Sequence, residues 1–350
     1  MNPFRFAVVG TGEISGFYMD FFQRRADKEG IVFAGAFDLL ADRARPFCEK
    51  FGGRYYETVD AVLADRTVDA VVNLTPAFAH ADVSKRCLEG GKHVHTEKPI
   101  AMKVQEAREL LNVARRHGVT FASSPFIILG ECQQTVKRML REGRVGRPIT
   151  CTAELYHGRI ESWRANAGQF YRESGGPILD VGPYPLSLMI DWFGPVRAVR
   201  GMCAVGMPER RELNGQPFTI SVYDHGTALL RFESGVMGRI DFSNCNSNTT
   251  LHGMEIQGTD GSLAISAIMD AHGEIRISGK DAGKWDHVQG DPAPKPASGV
   301  DWSTGIFELA HAVREGRRPA NSADMALHVL EVARAIEQAA SSGQEVLLSH

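Results

Sequence analysis

Phe6-Ala7-Val8-Val9-Gly10-Thr11-Gly12-Glu13-Ile14-Ser15-Gly16 joins a short apolar run, a glycine turn and the start of a helical pattern that continues to about Arg25. A strand, a glycine turn and a helix amino end together present backbone N–H groups in a concave site suited to a pyrophosphate. Gly10 is expected to make the tight turn and Gly12 to admit the phosphates, with Thr11, Glu13 and Ile14 completing the lining. The third glycine position of such fingerprints is occupied by Ser15, which is small enough for close helix–strand packing. Gly-x-Gly alone is weak; the strand before it and the helix after it give it weight.

Moving outward, the strand over 32–37 ends at Asp38. A carboxylate at the tip of the second strand accepts hydrogen bonds from the adenosine ribose and repels a 2′-phosphate. NAD is therefore favoured, with NADP possible. Asp38 can also cap the helix beginning near Leu40, and the two roles are compatible. The strand over 70–74 runs into Thr75-Pro76-Ala77-Phe78-Ala79-His80, where Thr75 and Pro76 are expected to line the nicotinamide side of a crevice. His80 either contacts a ligand or is satisfied by local backbone. The next strand delivers His93-Val94-His95-Thr96-Glu97-Lys98-Pro99. A residue before proline is pushed into an extended conformation, and an X-Pro bond alone can be cis at modest cost. Lys98 is thus expected at a strand's carboxyl end, the side on which open α/β sheets bind ligands. The plainer alternative is a surface lysine before a loop.

The 350 residues are too many for one ordinary core and predict two α/β domains. Residues 1–124 read as a doubly wound Rossmann domain for NAD(P), and 125–350 as a substrate-binding and oligomerisation domain with an open, mostly antiparallel sheet. A net charge of -3 without a basic run argues against nucleic acid or an anionic membrane as partner. Six scattered cysteines without a Cys-x-x-Cys pair argue against a zinc site or disulfide framework and for a reducing cytoplasm. Met1-Asn2-Pro3 leads directly into a strand without a signal-peptide pattern. No apolar run approaches the roughly 20 residues that span a bilayer. Histidines show no His-Glu-x-x-His spacing, so no metal is expected.

In the second half, strands are expected over 149–156, 196–204, 221–232, 236–243, 254–258, 262–267 and 275–278, and a Pro-rich loop over 291–296. Gly175-Gly176-Pro177-Ile178-Leu179-Asp180-Val181-Gly182-Pro183-Tyr184 leads into a helix that ends near Trp192. Asp180 can cap that helix and Tyr184 can pack its ring on the sheet; four residues apart, both can also face one side. Before this run, Tyr156-His157-Gly158-Arg159, Trp163-Arg164 and Phe170-Tyr171-Arg172 offer aromatic faces and polar donors suited to a polyhydroxylated ring. Tyr156, His157 and Trp163 are the substrate-contact candidates among them.

The order Gly-x-Gly-x-x-Ser, Asp38, Thr75-Pro76…His80, Gly91-Lys92-His93-Val94 and Glu97-Lys98-Pro99 resembles the glucose–fructose oxidoreductase / inositol dehydrogenase / MocA family. Glu-Lys-Pro is its specific mark, and the resemblance covers nearly the whole chain. It implies a dehydrogenase acting on a secondary alcohol of a sugar, inositol or related cyclic polyol, and a homodimer or homotetramer formed through the second domain's sheet. Members typically carry Asp-x-Gly-x-His where this chain has Asp180-Val181-Gly182-Pro183-Tyr184; glucose–fructose oxidoreductase and dihydrodiol dehydrogenase relatives share the tyrosine. Some relatives use tightly held NAD to cleave glycosides by transient oxidation and elimination, and others act as non-catalytic sensors; these remain the alternatives.

Alcohol oxidation needs a proton acceptor on the hydroxyl. A free tyrosine, with a pKa of about 10, is too weak an acid to serve unaided at neutral pH, but a lysine ammonium within about 4–6 Å favours the phenolate. The expected roles are proton transfer by Tyr184, polarisation of the alcohol or carbonyl oxygen by Lys98, and positioning by Asp180.

Overall fold

A computed structural model describes residues 3–280, 283–288 and 301–349. The chain forms two units, Met1–Phe126 with Asp301–Leu327, and Ile127–Val300 with His328–His350.

The first unit opens with β1 (Phe4–Val9), α1 (Glu13–Gln23) and the short α2 (Ala26–Glu29). β2 (Ile31–Phe37), α3 (Ala41–Phe51), β3 (Arg54–Tyr55), α4 (Val59–Ala64) and β4 (Ala70–Asn73) follow. α5 (His80–Glu89), β5 (His93–Thr96), α6 (Val104–His117) and β6 (Phe121–Ser123) complete the series. The six strands are parallel, in the order β3-β2-β1-β4-β5-β6, the doubly wound arrangement. Strands covered on both faces are apolar throughout, as in Phe6-Ala7-Val8-Val9 and Ala70-Val71-Val72. α1 buries Ser15, Tyr18, Met19 and Phe22, the i, i+3, i+4, i+7 stripe that holds a helix against a sheet.

Asp301–Leu327 groups with this unit, although the sequence reading assigned it to the second domain. Its backbone reaches the outer edge of β6: Ala122 bridges Ser322, and the Ser123 N–H donates to the Asn321 carbonyl (3.0 Å). The helix Thr304–Glu315 packs tightly here, since a Cβ on Gly305 would stand 2.4 Å from the His95 ring. A contact between residues two hundred positions apart leaves no local periodic trace.

The second unit contains α7 (Glu131–Arg141), β7 (Pro148–Tyr156), α8 (Ala167–Ser174), α9 (Pro177–Asp180) and α10 (Pro183–Phe193). β8 (Val196–Ala204), β9 (Glu209–Arg211), β10 (Pro217–Thr219), β11 (His225–Phe232), β12 (Met237–Ser243) and β13 (Gly253–Gly258) come next. β14 (Gly261–Ile265), β15 (Ile275–Gly279), β16 (Asp286–Val288) and β17 (Val346–Leu347) finish the sheet. Nine strands run in the order β16-β15-β14-β13-β7-β12-β11-β8-β17, antiparallel except for the β7–β12 pair. Alternation makes one face apolar and one open: Ala228, Leu230 and Phe232 of β11 are buried, whereas Thr227, Leu229 and Arg231 are exposed. The short β9–β10 hairpin turns a charged residue, Arg210, to its buried side in place of an apolar one and was not expected. The expected loop over 291–296 lies outside the described residues.

Candidate active site

In the first unit the strand order reverses between β1 and β4, which places a ligand crevice beyond their carboxyl ends. There Gly10 takes φ +93°, and a Cβ on it would stand 2.8 Å from the backbone of Leu74 and Thr75. Glycine alone permits that approach. Gly12 is the extended N-cap of α1, and a Cβ on it would meet no atom within 4 Å. Open space at a helix amino end after a glycine turn fits a dinucleotide pyrophosphate. Glu13 is exposed and Ile14 half-buried in the same turn. Ser15 is buried, and its hydroxyl donates to the Gly12 carbonyl (2.7 Å), so the small third residue does permit close packing.

Thr11, in the glycine turn, is hydrogen-bonded to the strand-tip carboxylate. Its N–H (2.7 Å) and hydroxyl (3.2 Å) both donate to Asp38 Oδ2, while the Leu40 N–H donates to Oδ1 (2.9 Å). Thr11 thereby fixes the carboxylate at the tip of β2, and Asp38 also restrains the turn into α3.

The loop after β4 is built on the buried Asn73. Its Oδ1 accepts from the Thr75 N–H (3.2 Å) and hydroxyl (2.6 Å), and its amide donates to the His80 carbonyl (3.1 Å) and Ser84 Oγ (3.0 Å). Pro76 is exposed. His80 is 2 % exposed, with Nδ1 2.7 Å from the Pro99 carbonyl oxygen and Nε2 2.8 Å from that of Thr75. A backbone carbonyl oxygen thus stands at each ring nitrogen, and the neutral ring donates to one of them. Burial lowers the His80 pKa, against the opposing pull of the Pro99 carbonyl and the Glu97 carboxylate.

Lys98 follows β5, half-buried, and the Lys98–Pro99 bond is cis. Glu97, the acidic residue of the Glu-Lys-Pro run and a candidate for the cofactor side of the crevice, has a buried carboxylate that anchors the loop. Oε1 accepts from the Tyr18 hydroxyl of α1 and from Ser124 Oγ (2.9 Å), and Oε2 accepts from the Lys98 N–H (3.0 Å). The Tyr18 and Ser124 oxygens lie 3.0 Å apart, with His95 Nε2 at 3.4 Å and 3.3 Å. Burial pushes the His95 imidazole down to about 4, outweighing the neighbouring Glu97 charge, so the ring is neutral near pH 7. Sequence reasoning missed Tyr18, His95 and Ser124 as parts of this anchor. Tyr18 carried a usable signal: a phenol on the apolar stripe of the phosphate-side helix needs a buried partner.

In the second unit Gly175 and Gly176 take φ +75° and +73°, and a Cβ on Gly176 would stand 2.6 Å from the Tyr223 carbonyl oxygen. The backbone stays right-handed helical through Val181 and Gly182, joining α9 to α10. Asp180 and Tyr184, four residues apart, therefore fall on one side. Tyr184 is buried and Asp180 half-buried.

Tyr156 is not brought to that side. Along β7, Cys151, Ala153 and Leu155 face the core, so Tyr156 lies with Thr152 and Glu154 on the open face. There it lines a cavity of about 350 Å³ with Met202, His225, Thr227 and Cys245. His157 and Trp163 pair edge to face, with ring centroids 5.8 Å apart and Trp163 half exposed. Tyr171 is fully buried with Ile160, Ala167 and Ile220. Beneath it lies an ion cluster absent from the sequence reading. Arg210, entirely buried, donates through Nη1 to both Glu161 oxygens (2.7 and 2.9 Å) and through Nη2 to Asp224 Oδ2 (2.8 Å), with the Tyr171 ring 4.9 Å away. Asp224, His225 and Cys245 bring metal-ligand atoms within 4.8 Å of one another. The Arg210 guanidinium already on Asp224 opposes a second cation there.

Comparison with known proteins bears on both units. The family model described as "Oxidoreductase family, NAD-binding Rossmann fold" matches residues 4–124, and "GFO/IDH/MocA C-terminal domain" matches residues 133–264. A 1,5-anhydro-D-fructose reductase of Ensifer adhaerens is 25% identical over 314 residues, 87% of each chain. A scyllo-inositol 2-dehydrogenase (NADP(+)) of Bacillus subtilis is 26% identical over 301 residues, 84% of each chain. The crystal structure of a levoglucosan dehydrogenase with NADH and L-sorbose superposes with a TM-score of 0.87 at 17% identity, over 100% of both chains. Among the described residues no helix is long and apolar enough to cross a membrane.

Proposed function

The chain belongs to the glucose–fructose oxidoreductase / inositol dehydrogenase / MocA family of NAD-binding oxidoreductases, and from that premise we propose that it oxidises or forms a secondary carbinol of a sugar, inositol or related cyclic polyol. The observation that carries this reading is the anchoring of Lys98 at the carboxyl end of β5, one strand from the point where the sheet order reverses. Two relatives named for a sugar ketone and an inositol support the substrate class. NAD or NADP, when bound, supplies the hydride acceptor or donor, and Gly10, Gly12, Glu13, Ile14, Asp38, Thr75 and Pro76 are the residues proposed to hold it. Asp38 supports NAD as the preferred form.

In this proposal Lys98 donates hydrogen bonds to the substrate oxygen and polarises it. Tyr184 takes the hydroxyl proton during oxidation and returns it during reduction, and Asp180 orients the pair. His157 and Trp163 are kept as ring contacts for the substrate. The apolar side chains exposed on the open sheet face, Met202, Leu229 and Met237, support a homodimer or homotetramer formed through that face. Six cysteines present as thiols support a cytoplasmic location.

The test is a screen for NADH or NADPH appearance over free sugars, inositols, anhydrosugars and glycosides. Saturable reduction of NAD by a cyclic polyol is the expected result. Glycoside cleavage without net NADH would assign a redox-elimination hydrolase instead, and cofactor binding without turnover of any compound would assign a sensor.

A further inference from the structure

We propose that His80 is a positioning residue that sets the placement of Lys98. This rests on the reading of Lys98 given above. The residue next to Lys98 is Pro99, and the Pro99 carbonyl oxygen lies 2.7 Å from His80 Nδ1. The other ring nitrogen lies 2.8 Å from the Thr75 carbonyl oxygen. One rigid imidazole therefore stands between the loop after β5 and the loop after β4: as the neutral ring it donates to one of the two carbonyls, and as an imidazolium it donates to both.

The Thr75 end of that tie is itself immobilised. Asn73 accepts from both the Thr75 N–H and hydroxyl and holds the His80 carbonyl with its amide. On the other side, Leu74 and Thr75 press against Gly10 so closely that no Cβ could stand there. Loops from β1, β4 and β5 thus meet in sequence, Gly10 against Leu74, Thr75 to His80, and His80 to Pro99. The Glu97 carboxylate holds the N–H of Lys98, and His80 meets the carbonyl of the residue that follows it. The backbone of a lysine sets where its long stem begins, and these two buried groups hold that backbone on either side. His80 has a carbonyl oxygen at each ring nitrogen and is 2 % exposed, so its influence reaches substrate through Lys98 and not by contact.

The experiment compares His80→Phe, which keeps a planar ring without donors, with His80→Asn and His80→Gln, with Lys98→Met in parallel. Probes are NAD and whichever of myo-inositol, scyllo-inositol and D-glucose the wild-type enzyme oxidises fastest. Three quantities are read: kcat, the NAD dissociation constant by tryptophan fluorescence, and amide hydrogen exchange in the peptide covering 97–103. Misplacement of a reacting group by about 1 Å costs roughly a hundredfold in rate. His80→Phe is therefore expected to lose about that much in kcat, bind NAD within about threefold of wild type, and exchange faster over 97–103. His80→Gln, which offers two N–H groups, is expected to recover about tenfold of the loss. Should His80→Phe not fold, His80→Asn carries the test, with roughly a tenfold fall in kcat and the same faster exchange.

Three results overturn the proposal: unchanged kcat, unchanged exchange over 97–103, or a loss confined to NAD binding, which would make His80 a cofactor contact. Normal turnover in Lys98→Met overturns the reading of Lys98 and this inference with it. A dead Lys98→Met enzyme beside active His80 variants overturns this inference alone.

Discussion

Replacing Tyr18 with Phe removes one oxygen atom and leaves the ring in place against Phe126 and Trp302, with centroids 6.1 and 6.0 Å away. What is lost is the hydroxyl's hydrogen bond to the buried Glu97 carboxylate, together with its contact to Ser124 Oγ at 3.0 Å. A hydrogen bond to a charged group contributes about 1.5–3 kcal/mol, and a buried carboxylate stripped of a donor keeps its desolvation cost. Ser124 Oγ and the Lys98 N–H still serve the two Glu97 oxygens, so the expected loss is about 2 kcal/mol rather than the larger cost of an orphaned charge. Urea denaturation followed by circular dichroism measures it. Glu97→Gln completes a cycle: the two substitutions should couple by at least about 1 kcal/mol, because both act on one bond. A Tyr18→Phe protein within about 0.5 kcal/mol of wild type, or additive effects in the cycle, would refute the anchor.

Other outcomes follow from the same structure. Gly10→Ala places a Cβ 2.8 Å from backbone at φ +93°, and overpacking with strain should cost about 2–4 kcal/mol and weaken NAD binding, measurable by fluorescence titration. Arg210→Met leaves Glu161 and Asp224 buried without their cation and should destabilise by about 3–5 kcal/mol, read from urea midpoints. His95 is held neutral, its pKa lowered from 6.5 to about 4. The unfolded chain therefore binds the extra proton first, so stability falls as pH drops from 6.5 through 4, by up to about 3 kcal/mol. His95→Gln should flatten that part of the stability–pH curve, and an unchanged slope would show that the ring is not the group responsible.

Much of the first unit was legible because parallel strands covered on both faces must be apolar and their helices must carry a stripe. α3 (Ala41–Phe51) buries Ala44, Phe47, Cys48 and Phe51, and α6 (Val104–His117) buries Ala107, Leu110, Leu111 and Ala114, each one such stripe. Side-chain partners were less legible. Glu97, Thr11 and His80 each turn to a partner that the motifs do not pair with them: Tyr18, Asp38 and Pro99. A motif records which residues occur and not which way a carboxylate faces. Tyr156 shows the same limit, since a one-residue step along β7 decides which side of the sheet it serves. Arg210 sits on a three-residue strand, too short for any pattern, and its partners Glu161 and Asp224 come from distant loops. The segment Asp301–Leu327 reads as ordinary helix by itself; only the edge of β6, which it completes, reveals its unit.

The claim on which the proposed chemistry rests is that Lys98 and Tyr184 serve one substrate oxygen, and a kinetic cycle of Lys98→Met, Tyr184→Phe and the double variant addresses it most directly. With saturating NAD and the preferred polyol, each single change should lower kcat by roughly a thousandfold while NAD still binds, and the double variant should be little slower than either, as for groups acting as a unit. Near-normal turnover in either single variant, or losses that multiply as for independent groups, would contradict the account.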